Sequence, residues 1–169
     1  MLRTFLRRLL RGRPKMLQAG SPAPRFSLPA HDGSTVSLSD FAGKRVVLWF
    51  YPKADTPGCT KESCGFNDAL PDFGGANAEI IGISKDPVKK LDKFRDKYGL
   101  TFTLASDEPG QVVEGYGSWV EKSMYGKKYM GIDRSTFLID ENGVVQGVWR
   151  KVKVPGHVDE VLAAVKAMG

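Results

Sequence analysis

The run Arg45-Val46-Val47-Leu48-Trp49-Phe50-Tyr51 constrains the fold of this chain more than any other segment. It is apolar almost throughout and rich in β-branched and aromatic residues, the pattern of a central strand covered on both faces. Pro52 ends it. The segment that follows, from Pro52 to Cys64, holds both cysteines of the chain, Cys59 and Cys64, where a strand should turn into a helix. A thiol at a helix start faces unpaired backbone N–H groups and the positive end of the macrodipole, which favour thiolate over thiol. A second thiol one turn further on gives any oxidised form of the first a nearby partner.

The rest of the pattern supplies neighbours for that strand. Arg25 to Leu28 and Thr35 to Leu38 alternate in polarity around His31-Asp32-Gly33, which predicts an N-terminal hairpin. A helix is expected from about Cys59 to Leu70, stopped by Pro71, and a second central strand over Ala78–Ser84. Asp86 is expected to cap a helix opening at Pro87, with Val88, Leu91, Phe94 and Tyr98 on its buried side and Gly99 closing it. Phe102 to Ala105 predicts a short strand and Gln111 to Tyr116 a short helix, and 118–133 reads as a long connection. Residues 135–140 and 143–150 pair as strands across Glu141-Asn142-Gly143, and His157 to Met168 forms a terminal helix. Strands alternating with helices imply a mixed α/β sheet with helices on both faces. A β-α-β opening and an antiparallel β-β-α ending together resemble the thioredoxin-like fold.

Charge separates a tail from the rest. The chain of 169 residues carries +6. Residues 1–16 hold Arg3, Arg7, Arg8, Arg11, Arg13 and Lys15 with no acid, and the remainder is formally neutral. The basic balance is therefore weak evidence for nucleic acid as a partner, and none is expected. Leu2, Phe5, Leu6, Leu9 and Leu10 follow helical spacing until Gly12 and Pro14. That stretch spans about 16 Å as a helix, too short for a bilayer. It admits a membrane-surface helix, an organelle-type targeting peptide, or upstream sequence that is disordered or untranslated, with Met16 as an alternative start. Residues 17–169 are expected to form one domain.

The two cysteines cannot bond within an intact helix. Five helical steps place their Cα atoms about 8–9 Å apart, whereas a disulfide tolerates up to about 7 Å. Any bridge between them requires the helix to open.

Pro52-x-x-x-Thr56-x-x-Cys59 resembles the active-site signature of the peroxiredoxins. The longer segment, from Pro52 to Cys64, is similar to the bacterioferritin comigratory protein (peroxiredoxin Q) branch, as is Lys127 to Asp140 with Arg134. The resemblance runs from about Leu17 to the C-terminus. It implies a thioredoxin-like α/β fold of the peroxiredoxin type, with an N-terminal β-hairpin and an inserted strand-helix pair. By the same resemblance Cys59 is the peroxidatic nucleophile and Cys64 the resolving thiol, while Thr56 binds the peroxide. Arg134 stabilises the thiolate, Pro52 shields the sulfur, and the Gly58 and Cys59 N–H groups complete the donor set. It further implies hydroperoxide substrates, an intramolecular disulfide reduced by thioredoxin or a similar dithiol protein, no cofactor and no metal, and a cytoplasmic monomer.

Other readings compete. A disulfide reductase of the same fold normally carries Cys-x-x-Cys, whereas four residues separate this pair, and Thr56 and Arg134 add weight against that reading. A redox sensor would be oxidised without turnover. A zinc site is disfavoured because Cys59, Cys64, His31 and His157 lack ligand spacing. His31, in a turn, and His157, at a helix start, are both expected to face solvent, and Trp49, Trp119 and Trp149 to be core or rim residues.

Overall fold

The computed structural model describes residues 17–169, so the basic tail and the readings attached to it lie outside the described residues. Strands β1 (Ser27–Pro29) and β2 (Thr35–Ser37) form the expected hairpin. Strand β3 (Arg45–Phe50) is buried along its whole length, as its composition requires. It is the middle of a five-stranded sheet. On one side it pairs in parallel with β4 (Ala78–Ser84), which pairs in parallel with β5 (Thr103–Ser106). On the other it pairs antiparallel with β8 (Ser135–Ile139), which pairs with β9 (Val145–Trp149).

The pleat of β3 divides the core in two. Val46, Leu48 and Phe50 join Phe26, Tyr116 and Phe137 on one face. Val47 and Trp49, with Tyr51 just beyond the strand, join Phe66, Phe94 and Val161 on the other. The second face is covered by α1 (Pro57–Asp68), α2 (Leu70–Gly75), α3 (Val88–Lys97) and α5 (His157–Ala167). On the first face the only α-helical cover among the described residues is the short α4 (Gln111–Gly115), whose Val113 packs there beside the N-terminal hairpin. Helices thus lie on both faces, very unequally.

Four local expectations are corrected. The first helix starts at Pro57, not Cys59, with Thr56 in extended conformation as its N-cap. It ends at Asp68, and Pro71 opens α2 instead of stopping a helix, because a first-turn proline has no N–H to lose. Asp86 does not cap α3. Pro87 holds that position, and the Asp86 carboxylate accepts from Ala54 N–H (2.8 Å) and the Ser84 hydroxyl (2.8 Å). Residues 118–133 are no loose connection: Trp119–Met124 (β6) and Lys127–Ile132 (β7) pair antiparallel as a separate ribbon. Tyr125 and Gly126 both take positive φ at its turn, the conformation a two-residue hairpin loop demands.

Candidate active site

Strand β3 and the start of α1 bring the chemistry together. The first hydrogen bond of α1 runs from Thr60 N–H to the Thr56 carbonyl (2.8 Å), so the N–H groups of Gly58 and Cys59 precede the helical ladder. Cys59 is fully buried and Cys64 half-buried, and both are free thiols on one unbroken helix. The loop before α1 is pinned on two sides. Ala54 is held by Asp86, and Asp55, at φ 59°, accepts from the Tyr98 hydroxyl and from Lys97 Nζ (2.9 Å). Tyr98 and Lys97 hold the Asp55 carboxyl below the usual carboxylate range.

Arg134 enters just before β8 and is half-buried. Its Nη2 donates to Cys59 Sγ (3.3 Å) and its Nη1 to Glu62 Oε1 (2.7 Å). Burial works against its charge, but Cys59 and Glu62 outweigh that and hold the guanidinium above its ordinary value. Gly58 leaves room for this approach: a Cβ there would lie 3.0 Å from Arg134 Nη2, and the guanidinium would have to give way by a few tenths of an ångström. The Thr56 hydroxyl donates to the Lys53 carbonyl (2.8 Å) and makes no hydrogen bond to the sulfur, leaving oxygen lone pairs for another donor. Pro52, just after β3, is half-buried. Cys59 and Arg134 thus meet where α1 approaches β8, with Thr56 at the N-cap of α1 and Pro52 just beyond β3. Cys64, one turn along α1, instead lines a shallow surface pocket with Thr56, Thr60 and Tyr98.

Behind Arg134 lies a network that sequence reasoning passed over. Glu62 is 1% exposed. Its Oε1 accepts from Arg134 and from Trp49 Nε1, while its Oε2 is buried with no partner among the described residues. His157 is buried, contrary to the expectation that it faces solvent, because α5 folds back onto α1 and lays its first turn against Phe66 and Trp149. Its Nε2 meets Thr136 Oγ1 (2.8 Å) and lies 3.9 Å from Glu62 Oε2. Burial and the Arg134 charge push the His157 imidazole down to about 4. His31 is half-buried, its Nδ1 accepting from Leu104 N–H (3.3 Å). The one sequence signal for Glu62 was its place three residues after Cys59, which puts both on one helix face.

A buried cysteine at a helix N-terminus with a guanidinium on its sulfur restricts the family to which the chain can belong. The profile of the AhpC/TSA family matches residues 19–148. The chain is 54% identical over 146 residues to a bcp-type protein of Coxiella burnetii, covering 86% of this chain and 97% of that one. It is 49% identical over 150 residues to the peroxiredoxin Bcp of Escherichia coli (89% and 96%). It superposes with TM-score 0.81, at 46% identity, on the bacterioferritin comigratory protein of Xanthomonas campestris, whose alkyl peroxide reduction activity is described (85% and 91%). The chain belongs to the peroxiredoxins of the Bcp and peroxiredoxin Q type. It is a thiol peroxidase with the thioredoxin-like fold of that family. No helix among the described residues is long and apolar enough to cross a membrane.

Proposed function

We propose that this peroxiredoxin reduces hydrogen peroxide and organic hydroperoxides at Cys59, resolves with Cys64, and is recycled by thioredoxin or a similar dithiol protein. The observation that carries the reading is the Arg134 guanidinium 3.3 Å from a buried Cys59 Sγ at the start of α1. The Cys59 thiolate attacks the terminal peroxide oxygen as the O–O bond breaks. Its sulfur is oxidised to sulfenic acid, and the leaving oxygen takes up a proton to become water or alcohol. Arg134 and the Gly58 and Cys59 N–H groups stabilise the negative charge passing between sulfur and oxygen. Thr56 accepts the peroxide hydrogen through its oxygen, and Pro52 shields the sulfur. Cys64 then displaces the sulfenic hydroxyl as water, forming a disulfide that the dithiol reductant returns to two thiols.

The alkyl peroxide activity of the Xanthomonas relative supports organic hydroperoxides as substrates. An intramolecular partner for Cys59 makes a second subunit unnecessary, which favours a monomer, and the bacterial relatives fit a cytoplasmic enzyme. The test follows NADPH oxidation coupled through thioredoxin reductase and thioredoxin, with hydrogen peroxide or an organic hydroperoxide. Wild type should turn over and Cys59→Ser should not; turnover surviving in that variant would remove Cys59 from its role.

A further inference from the structure

Glu62 poses an electrostatic problem that the peroxidase reading does not solve. As an anion it would share Arg134 with a Cys59 thiolate, leaving two negative charges and one positive in a buried cluster. Such an imbalance is costly where water is excluded. Its Oε2 would also stay buried without a donor among the described residues, and an unmet acceptor of that kind costs on its own account. The charged and titratable groups around it are few. Arg134, from the turn before β8, holds Oε1, Cys59 shares the helix face, and His157, from α5, stands 3.9 Å from Oε2. Trp49, on β3, occupies Oε1 from the remaining side. Among the described residues the nearest group able to accept a proton from Oε2 is His157 Nε2, kept neutral by its surroundings. It meets Thr136 Oγ1 at 2.8 Å, so taking the Glu62 proton means turning from that hydroxyl and closing the 3.9 Å gap.

The geometry points to a resting enzyme in which Glu62 is protonated on Oε2 and directs that proton at His157 Nε2, leaving the whole Arg134 charge to Cys59. His157 is then a positioning residue that acts on the sulfur through Glu62 and Arg134. Burial, the largest influence on Glu62, pushes its carboxyl above the usual carboxylate range against the pull of Arg134. The inference rests on the assignment of Cys59 as nucleophile only for its consequence, because the proton itself can be observed without turnover.

The first measurement is the infrared spectrum of the reduced protein at neutral pH. A protonated-carboxyl C=O band that Glu62→Gln removes is expected; its absence from wild type overturns the inference. The second is the pH profile of Cys59 alkylation in a Cys64→Ser background. Glutamine mimics a neutral carboxyl in shape, hydrogen bonds and charge, so Glu62→Gln should move the profile by less than about 0.3 unit. Were Glu62 ionised, losing its charge would move the profile to lower pH by about one unit or more, as expected for removing a like charge close by. His157→Leu should move it upward as the Glu62 proton loses its acceptor, and His157→Asn should restore it. A purely structural histidine would leave the profile where it is in both variants.

Discussion

At the scale of single residues, the proposed mechanism rests on how closely Arg134 approaches Cys59, and two neighbours bear on that distance. Glu62 holds the guanidinium from behind, and Gly58 leaves it room in front. Gly58→Ala should displace the guanidinium, since Glu62 leaves it little freedom to yield. The rate of peroxide reduction measured by stopped flow should fall by about tenfold or more, and Arg134→Lys should cost about 10²-fold, the scale of losing one aimed donor. His157 makes its own prediction. Its imidazole titrates near 4 in the folded protein against an ordinary 6.5, so the unfolded chain binds the extra proton between those values. The stability it contributes is complete above pH 6.5 and lost as pH falls through about 4, amounting to about 3 kcal/mol. Thermal melts of His157→Asn should therefore lose less stability than wild type between pH 6.5 and 4. Equal slopes would contradict the burial of a neutral histidine. The residues proposed to react were legible in the sequence because Pro52, Thr56 and Cys59 form one short segment whose spacing carries meaning. Glu62, Trp49 and His157 were not, because their meeting depends on α5 packing across α1, a contact between residues almost a hundred positions apart.

At the scale of elements, α1 has to satisfy two demands. In the proposed mechanism it must be intact to aim its free N–H groups at Cys59, and it must open for Cys64 to reach the oxidised sulfur, because helical spacing keeps their Cα atoms about 8–9 Å apart. Beyond Cys64 the helix is anchored by Phe66 in the core and by Asn67, whose amide donates to the Gly99 carbonyl and accepts from Thr101 N–H and its hydroxyl. These anchors mark where opening should stop. Hydrogen exchange should show that amides from Cys59 to Gly65 lose protection on oxidation while those of β3 keep it; unchanged protection along α1 would refute the requirement. Asn67→Ala removes three hydrogen bonds at the anchor. It should lower stability by about 1–3 kcal/mol in denaturant melts and speed disulfide formation. The buried strands of the central sheet were readable from their apolar runs. The β6–β7 ribbon was not, since its exposed strands carry charged and polar residues and its turn signal is a single Tyr125-Gly126 pair.

At the scale of the whole molecule, the sheet divides the work. The face with the hairpin and α4 supplies a core of packed side chains, while the face with α1, α3 and α5 supplies both a core and the buried Cys59 thiol. Cys59 therefore sits at the start of α1, one loop beyond the buried central strand, and the opening that the proposed resolution requires falls within that one helix. Replacing Cys64 by Ser should leave one peroxide consumed per chain and block recycling by thioredoxin, seen as a single burst in the coupled assay. The central claim is that Cys59 and Cys64 of the same chain form the product disulfide. Mass spectrometry of the protein treated with one equivalent of hydrogen peroxide tests it most directly. The account predicts a monomer lighter by two hydrogens, with one peptide linking Cys59 to Cys64. A stable sulfenic acid on Cys59, or a disulfide between chains, would contradict it.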